Sequence, residues 1–151
     1  MNRLLMTVSR FCLLPLFVAG CVADPVLLSA ACDPDRPTTP IHDIQGSGPV
    51  SPLNGSTVQI EGIVVGDFQH GRRGAIGTHG ELGGFAVQEE AADADGDPAT
   101  SEGIFVMDGM APRVDVSVGD RVCVTGPVKE VAGETRIVAT ERGSGVAVTG
   151  S

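Results

Sequence analysis

The sequence has no tryptophan and no tyrosine, and aromatic residues make up only 3% of its 151 positions. A binder of single-stranded nucleic acid normally presents several aromatic faces on which bases stack, and here there is little material for that. Basic residues are scarce as well: 10 Lys+Arg stand against 19 Asp+Glu, for a net charge of −9 and a pI near 4.6. That balance argues against a module held on duplex DNA by phosphate neutralisation, which needs a clustered basic surface. No apolar run reaches the ~20 residues that a membrane-spanning helix needs. No segment of ten residues reads as a convincing helix, so a coiled coil, a transporter and a histone-like DNA binder are all disfavoured. What the chain does have is glycine (21 residues) and proline (10). Composition of that kind suits one turn-rich all-β domain.

Residues 1–31 read as an export signal. Met1–Arg10 carries Arg3 and Arg10 without an acid, and Phe11–Ala19 is a short apolar run, the n- and h-regions of a signal peptide. Val18-Ala19-Gly20-Cys21 resembles a bacterial lipobox, with a lipoprotein signal over 1–20 and lipidation at Cys21. Val22 follows, rather than the Asp that retains lipoproteins at the inner membrane, so the expected place is the outer membrane or cell surface. A second reading cleaves after Ser29-Ala30-Ala31 and secretes a soluble protein beginning at Cys32. A mis-chosen start codon is the reading without export. With Cys12 inside the signal and Cys21 lipidated or removed, Cys32 and Cys123 remain as an even pair in a compartment where disulfides persist. A bridge would close a loop of roughly ninety residues, worth about 3–5 kcal/mol; the alternative is two buried thiols. Neither cysteine belongs to a CxxC and the histidines are scattered, which disfavours zinc.

Residues 32–56 form a Pro/Gly-rich lead, from the polar tether Asp33–Pro40 to the Asn54-Gly55 turn signal. Periodicity begins at Thr57. Thr57–Gly66 alternates and then turns apolar, as a long bent strand would, with Gly62 a natural place for a bulge or sharp coil. Gly84–Glu89, Gly103–Met107, Arg121–Val128 and Glu134–Ala139 supply four more strands. Five strands, the first long and kinked, predict a small closed barrel over 57–148, because closure removes exposed strand edges. A five-stranded OB-fold-like barrel is the first expectation and a half-sandwich the second.

Several segments are familiar in this order: Ile44-Gln45-Gly46-Ser47-Gly48, Val58–Val64, Leu82–Glu90, Asp93-Ala94-Asp95-Gly96-Asp97-Pro98-Ala99-Thr100-Ser101-Glu102-Gly103-Ile104-Phe105-Val106, and Val118–Gly126. The series resembles the OB-fold domain that precedes the catalytic domain in secreted bacterial nucleases of the endonuclease/exonuclease/phosphatase type. It covers roughly Pro40 to Ala147. In that family the nuclease chemistry resides in a further few hundred residues, which supply a metal-binding Glu, His-Asp pairs and an Asn. Those motifs are not among residues 1–151. The resemblance therefore implies a non-catalytic accessory module for nucleic-acid engagement or for docking a catalytic domain. It is either a stand-alone relative or the front end of an interrupted gene. The alternative is a surface lipoprotein whose barrel is a structural or protein-interaction module.

Two loops carry candidate sites. Asp93, Asp95, Asp97 and Glu102 place hard oxygens at the close spacing that Ca²⁺ favours. The pattern departs from an EF-hand, since Gly96 is fourth rather than sixth and Ile104 replaces the bidentate Glu. A solvated acidic connection is the competing reading. In the loop after the first strand, Arg72 and Arg73 are placed to reach phosphates, with Phe85 or Phe105 stacking on a base of single-stranded or duplex nucleic acid. From Cys32 onward, however, 8 basic residues face 18 acidic ones, so such binding is expected to be weak. Phe85 beside Val87 reads equally as core, and the arginine pair as a solvated loop tip. Glu89 and Glu90 read as the start of the acidic loop rather than as a catalytic pair.

Overall fold

The structure, a computed structural model, describes residues 32–69 and 82–151. The expected signal over 1–31, with Cys21, and the loop holding Arg72 and Arg73 lie outside the described residues. A one-turn helix α1 (Ile41–Gln45) precedes β1 (Thr57–Phe68), β2 (Gly84–Gln88), β3 (Gly103–Met107), β4 (Arg121–Val131), β5 (Glu134–Val138) and β6 (Gly145–Gly150). The strands run in the order β1-β2-β3-β5-β4, and β1 pairs with β4 to close the barrel. β3 and β5 run parallel, and every other pairing is antiparallel. This is the small all-β, OB-fold-like barrel that alternation in the sequence predicts, with one strand more. β6 takes over the edge of β4 along Arg121–Thr125, where β5 has turned away toward β3.

Period-two alternation sends Val58, Ile60 and Val64 of β1, Phe85 and Val87 of β2, Ile104 and Val106 of β3, and Val122, Val124 and Val128 of β4 into one apolar core. β1 serves two neighbours in turn, β4 along Thr57–Ile63 and β2 along Ile63–Phe68. Gly62 sits at that handover, where a Cβ would lie 2.6 Å from the Gln88 carbonyl oxygen. The glycine thus permits the close backbone approach, while the bulge itself falls at Val65.

The lead belongs to the domain. Ile41 and Ile44 are fully buried in the barrel core, and Leu53 packs against it. The boundary expected at residue 57 therefore divides residues that pack together. A single helical turn is too short for periodicity to register, and its two isoleucines alone signal it. Farther upstream the chain covers the outer face of β1: Asp33 N–H donates to Gln59 Oε1 at 2.8 Å, and Gln59 Nε2 donates to the Asp33 and Arg36 carbonyls. Cys32 is disulfide-bonded to Cys123 of β4, with Cα atoms 6.0 Å apart. A disulfide fits an oxidising compartment. Among the described residues, no helix is long and apolar enough to cross a membrane.

Glu130 ties the lead to the β4–β5 hairpin by accepting from Ser51 N–H at 2.8 Å and Thr135 Oγ at 2.7 Å. These bonds, the Ser51 one foremost, hold its carboxyl below the usual carboxylate range. A depressed folded pKa stabilises above the unfolded value, and that contribution is lost as pH falls through the folded one. Glu130→Gln is therefore expected to flatten the acid limb of stability, as read by urea unfolding from about pH 7 down to about pH 3. A variant whose acid limb matches the parent's would remove Glu130 from the account.

Candidate functional site

The β2–β3 connection sets the site. The Gln88–Gly103 pairing continues one rung further, with Glu89 N–H donating to the Glu102 carbonyl at 2.9 Å. Residues opposite each other on antiparallel strands share a face, so the Glu89 and Glu102 carboxylates are brought side by side. Onto them comes α1. Ile41 N–H donates to Glu89 Oε1, and His42 Nδ1 donates to Glu89 Oε2 at 2.9 Å. His42 Nδ1 also lies 3.6 Å from Glu102 Oε2. Asp95 completes the group, since His42, Asp95 and Glu102 each offer a ligand atom within 4.8 Å of the others.

The electrostatics follow from that crowding. The hydrogen bond to Glu89 raises His42 above its ordinary value despite the opposing effect of burial, and the Glu89, Asp95 and Asp43 charges add to the rise. Burial pushes Glu89 upward, but hydrogen bonds involving Glu102, His42 and the Ile41 amide outweigh it and leave the carboxyl below the usual range. Glu102 is raised, first by sharing a hydrogen bond with Glu89 and then by burial. Asp95 is lowered, chiefly by the Asp97 amide. The group therefore sets an imidazole that holds its proton more firmly than usual against a carboxyl, Glu89, that gives it up more readily, with Glu102 beside them shifted the opposite way to Glu89.

Of the acidic residues expected to gather, Asp95 and Glu102 do so, while Asp93 and Asp97 stand outside the group. The i, i+2 spacing is partly loop construction: Asp95 Oδ1 accepts from Asp97 N–H at 2.7 Å, and Asp97 Oδ1 accepts from Ala99 N–H at 2.9 Å. Thr100 Oγ donates to both oxygens of Asp95. Glu89 and Glu90 diverge, one toward His42 and the other into an ion pair with Arg121. His42 was not singled out by the sequence. Its one signal is the Pro40-Ile41-x-x-Ile44 turn, and its partner Glu89 is 47 residues away.

The other candidate surface needs a correction. Phe85 is fully buried in the core, because alternation along β2 turns it inward, and it offers no face to a base. Phe105, half-buried on the outer side of β3, lies under the Arg136 guanidinium at 5.6 Å from its ring centre. A groove of about 740 Å³ runs over this side of the barrel, past Val65, Ala86, Gln88, Phe105 and the Glu134–Thr135 end of the β4–β5 hairpin. Arg136 Nη2 is 2.5 Å from Glu134 Oε2, so the cation in that stack is already neutralised. No protein-family model matches this chain, and no curated protein matches it.

Proposed function

We propose that the chain is an exported accessory module of an extracellular nuclease, an OB-type barrel that docks a catalytic domain and carries no catalytic residues of its own. The supporting observation is the charge on the β2–β3 side, the surface with which OB-folds generally bind. There the aromatic ring is capped and its arginine is paired with Glu134. Elsewhere Arg121 pairs with Glu90 and Lys129 with Glu141. Cations held by carboxylates are poor phosphate ligands, and the surplus of acid repels a polyanion. A groove lined by Val65, Ala86 and Phe105 together with Gln88, Glu134 and Thr135 suits a protein surface better.

Titrating the full chain into labelled single-stranded and duplex oligonucleotides separates the options. The expected result is no saturable binding tighter than about 10⁻⁴ M at low salt. Saturable, salt-sensitive binding that disappears in Arg72→Ala/Arg73→Ala would place nucleic acid on the barrel itself. The companion measurement is calorimetric titration with the purified catalytic domain of a secreted nuclease of this type. Heat of binding that Phe105→Ala/Arg136→Ala reduces supports docking. Silence in both titrations would favour the surface-lipoprotein reading, in which the barrel is a structural or protein-interaction module.

A further inference from the structure

Glu102 Oε2 is sealed from solvent and faces Glu89 and His42, while the other oxygen of the same side chain accepts from the Asp95 amide at 3.3 Å. Two carboxylates crowded together away from solvent are costly unless a proton or a cation lies between them. This oxygen faces the space between His42 and Glu89; His42 Nδ1, 3.6 Å away, is already engaged with Glu89, which leaves Nε2 as the ring nitrogen open to a cation. A second carboxylate, buried Glu89, closes the back of the same space. The group is also not merely acidic. Three separate segments (α1, the acidic loop and the rung leading into β3) converge an imidazole and carboxylates at ligand spacing.

We propose that His42, Asp95 and Glu102, with Glu89 holding the imidazole, bind a divalent first-row transition cation of the Zn²⁺ or Mn²⁺ class and so clamp α1 onto the acidic loop. The donor set decides the class. Ca²⁺ takes six to eight oxygens and has little use for an imidazole, and Asp93 and Asp97, which would have supplied such oxygens, stand outside the group. An imidazole with carboxylates suits Zn²⁺ at low coordination number, and for mixed N/O sites Zn²⁺ binds more tightly than Mn²⁺. A carboxylate bonded to a ligating histidine is the usual support for such a site, orienting the ring. Scattered histidines and the absence of CxxC concealed this in the sequence, because the donors meet only through the fold. The inference is independent of whether the barrel docks a catalytic domain.

The test is calorimetric titration of the oxidised full chain, stripped with chelator, using ZnCl₂, MnCl₂ and CaCl₂ separately. One equivalent of Zn²⁺ is expected to bind, with Mn²⁺ weaker and Ca²⁺ weakest. His42→Ala and Glu102→Gln are each expected to lose roughly tenfold or more in Zn²⁺ affinity. Because either change risks loosening α1, Asp95→Asn serves as the second variant. Asp95 is exposed on the loop, and asparagine keeps the oxygen that accepts from the Asp97 amide. It is expected to retain the parent's melting temperature without metal and to lose affinity. Zn²⁺ should also shift the His42 ring resonances in the parent. Absence of one-to-one binding, Zn²⁺ affinity unchanged in all three variants, or Ca²⁺ binding as tightly as Zn²⁺ would each overturn the site. In the first case the two carboxylates share only a proton.

Discussion

Replacing Cys32 and Cys123 together by serine is expected to remove about 4–5 kcal/mol of stability, because cross-linking across a loop of this length strips that much entropy from the unfolded chain. The bonded residues are 91 positions apart and enclose β1, β2 and β3. For a domain of this size the melting temperature should fall by on the order of 15–30 °C. Urea unfolding of the oxidised parent against the double serine variant reads the effect. The bond also fixes the segment that covers the outer face of β1, where Gln59 is buried and spends both ends of its amide on the lead and on Thr125. A loss under about 1 kcal/mol would mean that the lead frays separately and that the bond staples a segment outside the cooperative unit.

The second large effect is expected at Phe85. It is the largest fully buried side chain among the described residues, and its truncation to alanine should cost about 3–5 kcal/mol through lost transfer energy and the cavity left behind. Phe85→Leu, which refills most of the space, should cost much less. The pair of variants also discriminates between the two roles the residue was offered. A stacking platform on the surface would tolerate alanine with its melting temperature intact. Truncation of a core ring lowers stability whether or not nucleic acid is present.

The barrel was legible because alternation is a local signal. Val58-Gln59-Ile60, Val122-Cys123-Val124 and the short runs at Gly84 and Gly103 each announce a strand without help from the rest of the chain. β6 was not, since Gly145–Gly150 is half glycine and small residues and gains its place only from the edge of β4 left by β5. The helix α1 was hidden by its length. The site shows a sharper division. The acidic loop is visible as composition, but composition did not distinguish carboxylates that bind their own backbone, Asp95 and Asp97, from one that faces inward, Glu102. His42 and Glu89 meet because a one-turn helix docks on the last rung of a hairpin, and no spacing rule connects residues so far apart. The inward turn of Phe85 was available from the phase of β2, with Val87 two residues on as the clue.

The seam between β1 and β4 has a bearing on time as well as on structure. Those strands are neighbours in the finished barrel but are separated in the chain by everything in β2 and β3, and such distant pairings make for folding in milliseconds to seconds. Until the seam forms, both ladders stand open and invite pairing with other molecules. Cys123 lies in that seam, opposite Glu61, and its partner Cys32 begins the segment laid along β1. A chain oxidised before it folds therefore begins with the two sides of its slowest junction already held near each other. It is expected to refold faster, and to aggregate less while doing so, than the same chain with its thiols reduced.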